Sequence, residues 1–417
     1  MRSSLPSWTM RPARNNRTRG NGRFAALIAA VLLFGAGPVL ADALETAKQG
    51  LAAQQAGAWQ DAEALYDAAI AEGGLSAQYE AMTYNNRGMV RLRQQNIDGA
   101  FEDFSTAIRV EPDYAEAYAN RGTVYQRTGE HGLAITDFRA ALQREPRLIG
   151  ALFNIGLSLA ATGDERGAIA AFDKFIEIKP GVPRVHFLRG KVHRHAGHLE
   201  LAKADLDTAI SLRNDYPPAW FERGVVNRYR RDLQGAVRDF STAIELKRDY
   251  LAAYLNRGFA LAEGKDFANA IRDFSTVIGM DPTSVAAHVN RANALAAVGQ
   301  TDPALADFAT AIRLDPTFVP NYVGRGNLYL ATGEAAKAVA DYDKAYELNP
   351  EDRRILVQRA YAHDLLGDSD SALADMRDAF RYLPVDRVTR AKLEKAREAG
   401  EETEPATGGE DDSGTTD

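Results

Sequence analysis

The run that decides the fold is Leu251-Ala-Ala-Tyr-Leu-Asn256-Arg257-Gly258-Phe-Ala-Leu-Ala-Glu-Gly-Lys-Asp-Phe-Ala-Asn-Ala270-Ile-Arg-Asp273-Phe274-Ser-Thr-Val-Ile-Gly-Met-Asp-Pro282. Its apolar residues fall at helical spacing in two segments, which predicts two short amphipathic helices joined by a turn. Gly258 in the first segment and Ala270 in the second let the two backbones approach closely. Phe274 plugs the gap towards the next unit, and Pro282 ends the second helix. Neither helix buries its apolar stripe alone, so the hairpin needs neighbours of its own kind.

The neighbours are present. Gly88, Gly122, Gly156, Gly190, Gly224, Gly258, Ala292, Gly326 and Ala360 stand 34 residues apart. Twelve residues after each comes an alanine, from Ala100 to Ala372. Four further on stands Phe104, Phe138, Phe172, Leu206, Phe240, Phe274, Phe308, Tyr342 or Met376, and seven of the nine units then place a proline eight residues later. A divergent unit with Gly50, Ala62 and Tyr66 precedes them, and its loop around Gly73-Gly74-Leu75 is four residues longer. Turns such as Thr128-Gly129-Glu130 and Ala331-Thr332-Gly333-Glu334 separate the two helices of a unit. Ten units span about residues 43–386, and their stacking predicts an all-α solenoid with one continuous core.

The spacing of Gly, Ala, aromatic and Pro within 34 residues resembles the tetratricopeptide repeat and covers about four fifths of the chain. The resemblance implies a right-handed superhelix of about ten helix-turn-helix repeats that binds proteins. The chain departs from the family in one register. Where leucine usually precedes the glycine, it has Arg87, Arg121, Arg189, Arg223, Arg257, Arg291, Arg325 and Arg359. Sixteen residues after each stands Asp103, Asp137, Asp205, Asp239, Asp273, Asp307, Asp341 or Asp375. The two units without the arginine, at Ile155 and Gln49, also lack the aspartate, having Ala171 and Leu65. The joint appearance and loss predict an ion pair between the helices of each unit, as in Arg87 with Asp103 and Arg257 with Asp273.

Family resemblance further implies that the first helix of each unit lines a groove, where an asparagine two residues before the glycine bonds an extended peptide. Asn86, Asn120, Asn154, Asn256 and Asn290 hold that place, while Leu188, Glu222, Gly324 and Gln358 interrupt the ladder. An amide offers donors and an acceptor together, which suits a peptide group. One residue earlier, Phe153, Phe187 and Phe221 form an aromatic stripe one repeat apart. Arg184, Lys191, Arg194, Arg228, Arg230 and Arg231 cluster around it. Exposed aromatics flanked by arginines suit an acidic or extended peptide segment; the same residues equally serve inter-repeat packing and solvated charge.

Four of the seven histidines, His186, His193, His195 and His198, fall in one unit. Imidazole clusters bind zinc or nickel, which makes a metal or small-ligand carrier the alternative reading. However, His186 and His193 hold places usual for packing aromatics, so the expectation is that no metal site and no cofactor are present. The chain has no nucleophile elbow, phosphate loop or zinc-protease signature, and the expected role is a non-enzymatic scaffold.

The two ends read differently. Six arginines (Arg2, Arg11, Arg14, Arg17, Arg19, Arg23) precede the apolar run Phe24–Phe34, and Val39 and Ala41 suit signal peptidase, so 1–41 is expected to be a signal peptide. An uncleaved anchor is the competing reading, but Gly35, Gly37 and Pro38 end the run short of the roughly 18–20 apolar residues of a span. With no cysteine, disulfides and a lipid anchor on a thiol are excluded. Beyond the solenoid at 42–386, residues 387–400 predict a capping helix and 401–417, with seven acids and no base, a disordered acidic tail. Removing the leader takes the net charge from −7 to −13, which disfavours nucleic acid. The expectation is thus an exported, periplasmic protein of the bacterial cell envelope with protein partners and no stable membrane insertion after cleavage; an export or polysaccharide-secretion machine is one setting for it.

Overall fold

The computed structural model describes residues 38–380, and every described element is a helix. The first 37 residues, the last six of the expected repeat range, the expected capping helix and the acidic tail lie outside the described residues. The chain divides into two compact units, one up to Ile178 and one from Lys179.

In the first unit, four hairpins follow one another: α1 (Pro38–Ala56) with α2 (Trp59–Glu72), α3 (Ala77–Arg93) with α4 (Ile97–Val110), α5 (Ala115–Thr128) with α6 (His131–Arg144), and α7 (Ile149–Ala161) with α8 (Glu165–Ile178). The second unit has six. These are α9 (Pro183–His195) with α10 (Leu199–Leu212), α11 (Pro217–Tyr229) with α12 (Leu233–Leu246), and α13 (Leu251–Glu263) with α14 (Phe267–Met280). Then come α15 (Val285–Ala297) with α16 (Thr301–Leu314), α17 (Val319–Ala331) with α18 (Ala335–Leu348), and α19 (Arg354–Leu365) with α20 (Ser369–Phe380). Within each unit a helix packs on the next in sequence, and consecutive first helices also touch one another.

The sequence makes these hairpins for local reasons. The turn inside each takes one residue with left-handed backbone, and glycine supplies it at Gly57, Gly129, Gly163, Gly197, Gly299, Gly333 and Gly367. Gln95, Arg231 and Lys265 adopt the same conformation in the remaining three (φ 67°, 64° and 65°), where a side chain is disfavoured. Asn96, Asp232 and Asp266 cap the helices that follow those three turns, accepting from the backbone N–H three residues on. The repeat glycine is needed for a different reason. A Cβ added at Gly258 would lie 2.6 Å from Cε1 of Phe274, so the ring fills the space a side chain would take. Phe104, Phe138, Phe172, Phe240 and Phe274 are fully buried in this way, each contributing roughly 1.5–3 kcal/mol.

Tyrosine takes the plug position twice, and its hydroxyl must then find a partner. Tyr66 donates to Oε1 of Gln54 and Tyr342 to Oδ1 of Asn327, both at 2.7 Å. Burial, with Asp341 adjacent, pushes Tyr342 up to about 12, and burial with Glu222 nearby pushes Tyr250 up to about 12. An unfolded tyrosine releases its proton near pH ~10. The folded state keeps these protons longer, so the stability they contribute is present below about pH 10 and is lost as the pH rises through about 12. Tyrosinate absorbance and helical circular dichroism should therefore change together in that window, with Tyr342→Phe shifting the loss to higher pH. Complete tyrosine ionisation near pH ~10 with helicity intact would contradict this.

Candidate partner-binding face

Eight arginines anchor the core beneath the face formed by the first helices. Each makes a forked pair with the aspartate sixteen residues on. Arg87 Nε and Nη2 bond Asp103 at 3.0 and 2.6 Å, and Arg257 Nε and Nη2 bond Asp273 at 2.8 and 2.7 Å. Arg121, Arg189, Arg223, Arg291, Arg325 and Arg359 repeat the geometry. All eight aspartates are buried. A two-pronged guanidinium is the donor that satisfies a buried carboxylate.

The structure adds a bond that the sequence reading lacks. At least five of these guanidinium groups use Nη1 to reach back to the second helix of the preceding hairpin. Arg87 meets Asp67, Arg223 meets Asp207, Arg257 meets Ser241, Arg291 meets Ser275 and Arg359 meets Asp343, at 2.6 to 3.0 Å. In the four pairs of the second unit, the acceptor stands two residues after the preceding repeat's aspartate. That recurring Asp or Ser is the signal that could have revealed it.

Four of the five asparagines at the ladder register spend their side-chain donors on neighbours within the repeat array. Asn120 donates Nδ2 to Asn85 at 2.8 Å, and Asn86 lies at the Tyr66 phenol. Asn154 offers its backbone carbonyl to Gln126, whose amide also donates to Ser158. Asn256 and Asn290 donate to the carbonyls of Ala252 and Ala286 in their own helices, at 2.9 and 2.7 Å. Asn256 further accepts from Arg228 Nη1 at 3.2 Å. Two of the expected peptide donors are thus spent on the helix, because an asparagine one turn past a backbone carbonyl bonds it locally. No described residue bonds Oδ1 of Asn290, which is left as an unbonded acceptor.

The aromatic and basic patch is also corrected. Phe187 is only 5% exposed and packs edge-on against Tyr216, with centroids 5.2 Å apart, so it belongs to the core. Phe153 is half-buried against Phe172 and Phe175, and Phe221 against Phe240 and Tyr250. Arg194 pairs with Glu222, the residue that interrupts the ladder one helix on. Arg228 and Arg231 lie against Glu263, and Arg230 forks onto Glu200. Lys191 stands over the Phe187 ring at 5.7 Å, and Arg184 opens α9. Carboxylates thus neutralise most of the patch, and it presents little free charge to an acidic segment.

The histidines serve the repeat. Nε2 of His186 faces the Pro180 carbonyl at 2.8 Å, and Nε2 of His288 faces that of Pro282 at 3.2 Å. Trp220 and Tyr322 do the same to Asn214 and Pro316, also six residues back. His186 and His193 both turn towards Asp205, at 3.5 and 3.9 Å. Burial works to raise that carboxyl, but the bonds from His186 and Arg189 outweigh it and hold Asp205 below the ordinary carboxylate range. The guanidinium already occupies the place a cation would take. His195 and His198 are exposed at the helix end and the turn. Among the described residues, no group of three or more His, Asp or Glu is arranged to hold a metal.

Comparison with known families follows the same frame. A family model described as TPR repeat matches residues 88–129. Two described as Tetratricopeptide repeat match 115–148, 183–216 and 319–352, and 134–183, 221–285 and 255–317. The chain belongs to the tetratricopeptide-repeat family. Solved tetratricopeptide structures resemble it at low identity. YrrB, a TPR protein with an unusual peptide-binding site, is 22% identical over 45% of this chain and 96% of its own, with a TM-score of 0.40. A tetratricopeptide repeat protein from Parabacteroides merdae is 20% identical over 60% and 98%, with a TM-score of 0.47. PilW, a type IV pilus biogenesis factor, is 18% identical over 51% and 98%, with a TM-score of 0.47. No curated protein matches the chain.

One departure from the tetratricopeptide pattern is explained by another. Ala292 replaces the repeat glycine, and its Cβ takes the space in which the aromatic of that unit normally sits. The Phe308 ring instead lies against the next first helix, where a Cβ added at Gly324 would be 2.5 Å from Phe308 Cε1. The ladder amide is missing at Gly324 because the ring fills its place.

Proposed function

We propose that this tetratricopeptide protein is a non-enzymatic scaffold of the bacterial cell envelope, and that it holds extended segments of partner proteins along its first helices. One observation carries the reading. Packing and ion pairing consume the opposite sides of the first helices, while the ladder asparagines stay half-buried and Asn290 Oδ1 has no bond from a described residue. The same helices carry small residues that are not buried, Ala252, Ala262, Ala286 and Ala297, over which a chain can lie close. An unbonded acceptor whose own donor is spent on its helix reads the N–H groups of a bound segment rather than its carbonyls. Export to the periplasm rests on the arginine-rich, apolar leader.

The test selects peptides from a random display library on the full chain and measures them by fluorescence anisotropy against wild type and Asn290→Leu. Loss of one charge-free hydrogen bond, with a buried N–H donor of the segment left unmatched, predicts affinity weaker by about tenfold, at unchanged helicity. Selected peptides that bind both proteins equally would place recognition elsewhere.

A further inference from the structure

Within the second unit, the first helices α11, α13, α15 and α19 are each fastened to the preceding hairpin by an arginine Nη1 bond, made by Arg223, Arg257, Arg291 and Arg359. The joint between α16 and α17 is built otherwise. At the register where Ser241 and Ser275 accept, the chain has Ala309, which is exposed. Arg325 accordingly bonds Asp341 alone among the described residues, and its guanidinium stands over Tyr329 at 5.9 Å instead.

Two further features weaken α17 itself. Its thirteen residues hold a second glycine, Gly324, beside the repeat's Gly326, and glycine inside a helix lowers its stability relative to alanine. Asn321 is fully buried, and although its Nδ2 bonds the Asp315 carbonyl at 3.0 Å, its Oδ1 has no partner. An orphaned buried acceptor regains a partner when the segment opens to water. The ring of Phe308 seats on Gly324 across the joint, so displacing α17 also unseats a core aromatic of the preceding hairpin, and that contact works to hold the joint shut.

We infer that the α16–α17 joint is a built-in opening point of the second unit, at which α17 detaches from α16 and locally unwinds while α9–α16 stay folded. Local opening is set by the contacts that cross a joint, and the crossing bond absent here is the charge-assisted one that the other joints within the second unit possess. The inference is independent of what the face binds. It does bear on how the face is presented, because the ladder positions at Asn290 and Gln358 lie on opposite sides of the joint.

Amide hydrogen exchange on the full chain tests it. The expected result is that α17 amides exchange at least tenfold faster than those of α13 and α15 in the same molecule. Ala309→Ser supplies the missing acceptor on an exposed helix position and should slow α17 about tenfold, the amount one charged hydrogen bond allows. Ser275→Ala removes the corresponding acceptor one hairpin earlier and should bring α15 up towards the α17 rate. Equal protection of α13, α15 and α17 in wild type would overturn the inference. So would an Ala309→Ser protein, of wild-type helicity, in which α17 exchange is unchanged.

Discussion

Arg257→Leu is expected to destabilise the second unit by about 3–5 kcal/mol, and adding Asp273→Ala to recover a substantial part of that loss. Asp273 is buried and takes two charged bonds from Arg257, at 2.8 and 2.7 Å. Removing the guanidinium leaves a carboxylate inside the hairpin with no counter-charge, and also strips Ser241 of its 2.9 Å partner. Taking the carboxylate away as well leaves only a small void. The bond to Asp273, the largest influence, raises Arg257 above its ordinary value against the opposing effect of burial, so the cation persists at any working pH. Guanidinium chloride unfolding followed by circular dichroism reads both variants, and equal losses in single and double mutants would refute the pairing argument. Partial exposure of the arginine does not change the sign, because the cost arises at the buried carboxylate.

The second large effect runs against the family pattern. Gly324→Asn would carry the asparagine ladder one unit beyond Asn290, yet we expect it to destabilise by about 1–3 kcal/mol, the usual cost of overpacking a filled site. The new Cβ would meet Phe308 at 2.5 Å. Restoring the glycine of the preceding unit, as Ala292→Gly, reopens the ordinary seat for that ring and should recover most of the loss. If Gly324→Asn proves neutral by thermal unfolding, or if Ala292→Gly does nothing to rescue it, the two departures are unrelated.

The frame was legible because a repeat reports each requirement many times. Glycine, alanine, aromatic and proline recur in one register, so the helix pairs and their close crossings follow from spacing. The eight arginines and aspartates followed from their joint loss at Ile155 and Gln49, and the structure pairs all eight. What spacing does not convey is the direction of a side chain. Phe187 stands one residue before the ladder yet turns into the core. Arg194 and Arg228 read as free positive charge, because their partners Glu222 and Glu263 lie 28 and 35 residues away, on the next first helix. The asparagines were legible as a row but not as donors already spent, since the competing carbonyls of Ala252 and Ala286 belong to every helix and leave no mark in composition. The cross-hairpin acceptors at Asp207, Ser241, Ser275 and Asp343 were visible as letters and overlooked because two residue types fill one register.

The backward reach of the arginines has a consequence for synthesis. Each fastening bond joins a first helix to a second helix already made, so a repeat leaving the ribosome carries the group that secures it to its predecessor. The acceptor waits in finished structure, and the donor arrives with the next segment. Growth of the array can then proceed by successive addition from the amino terminus, each arrival completing the polar surface of the last.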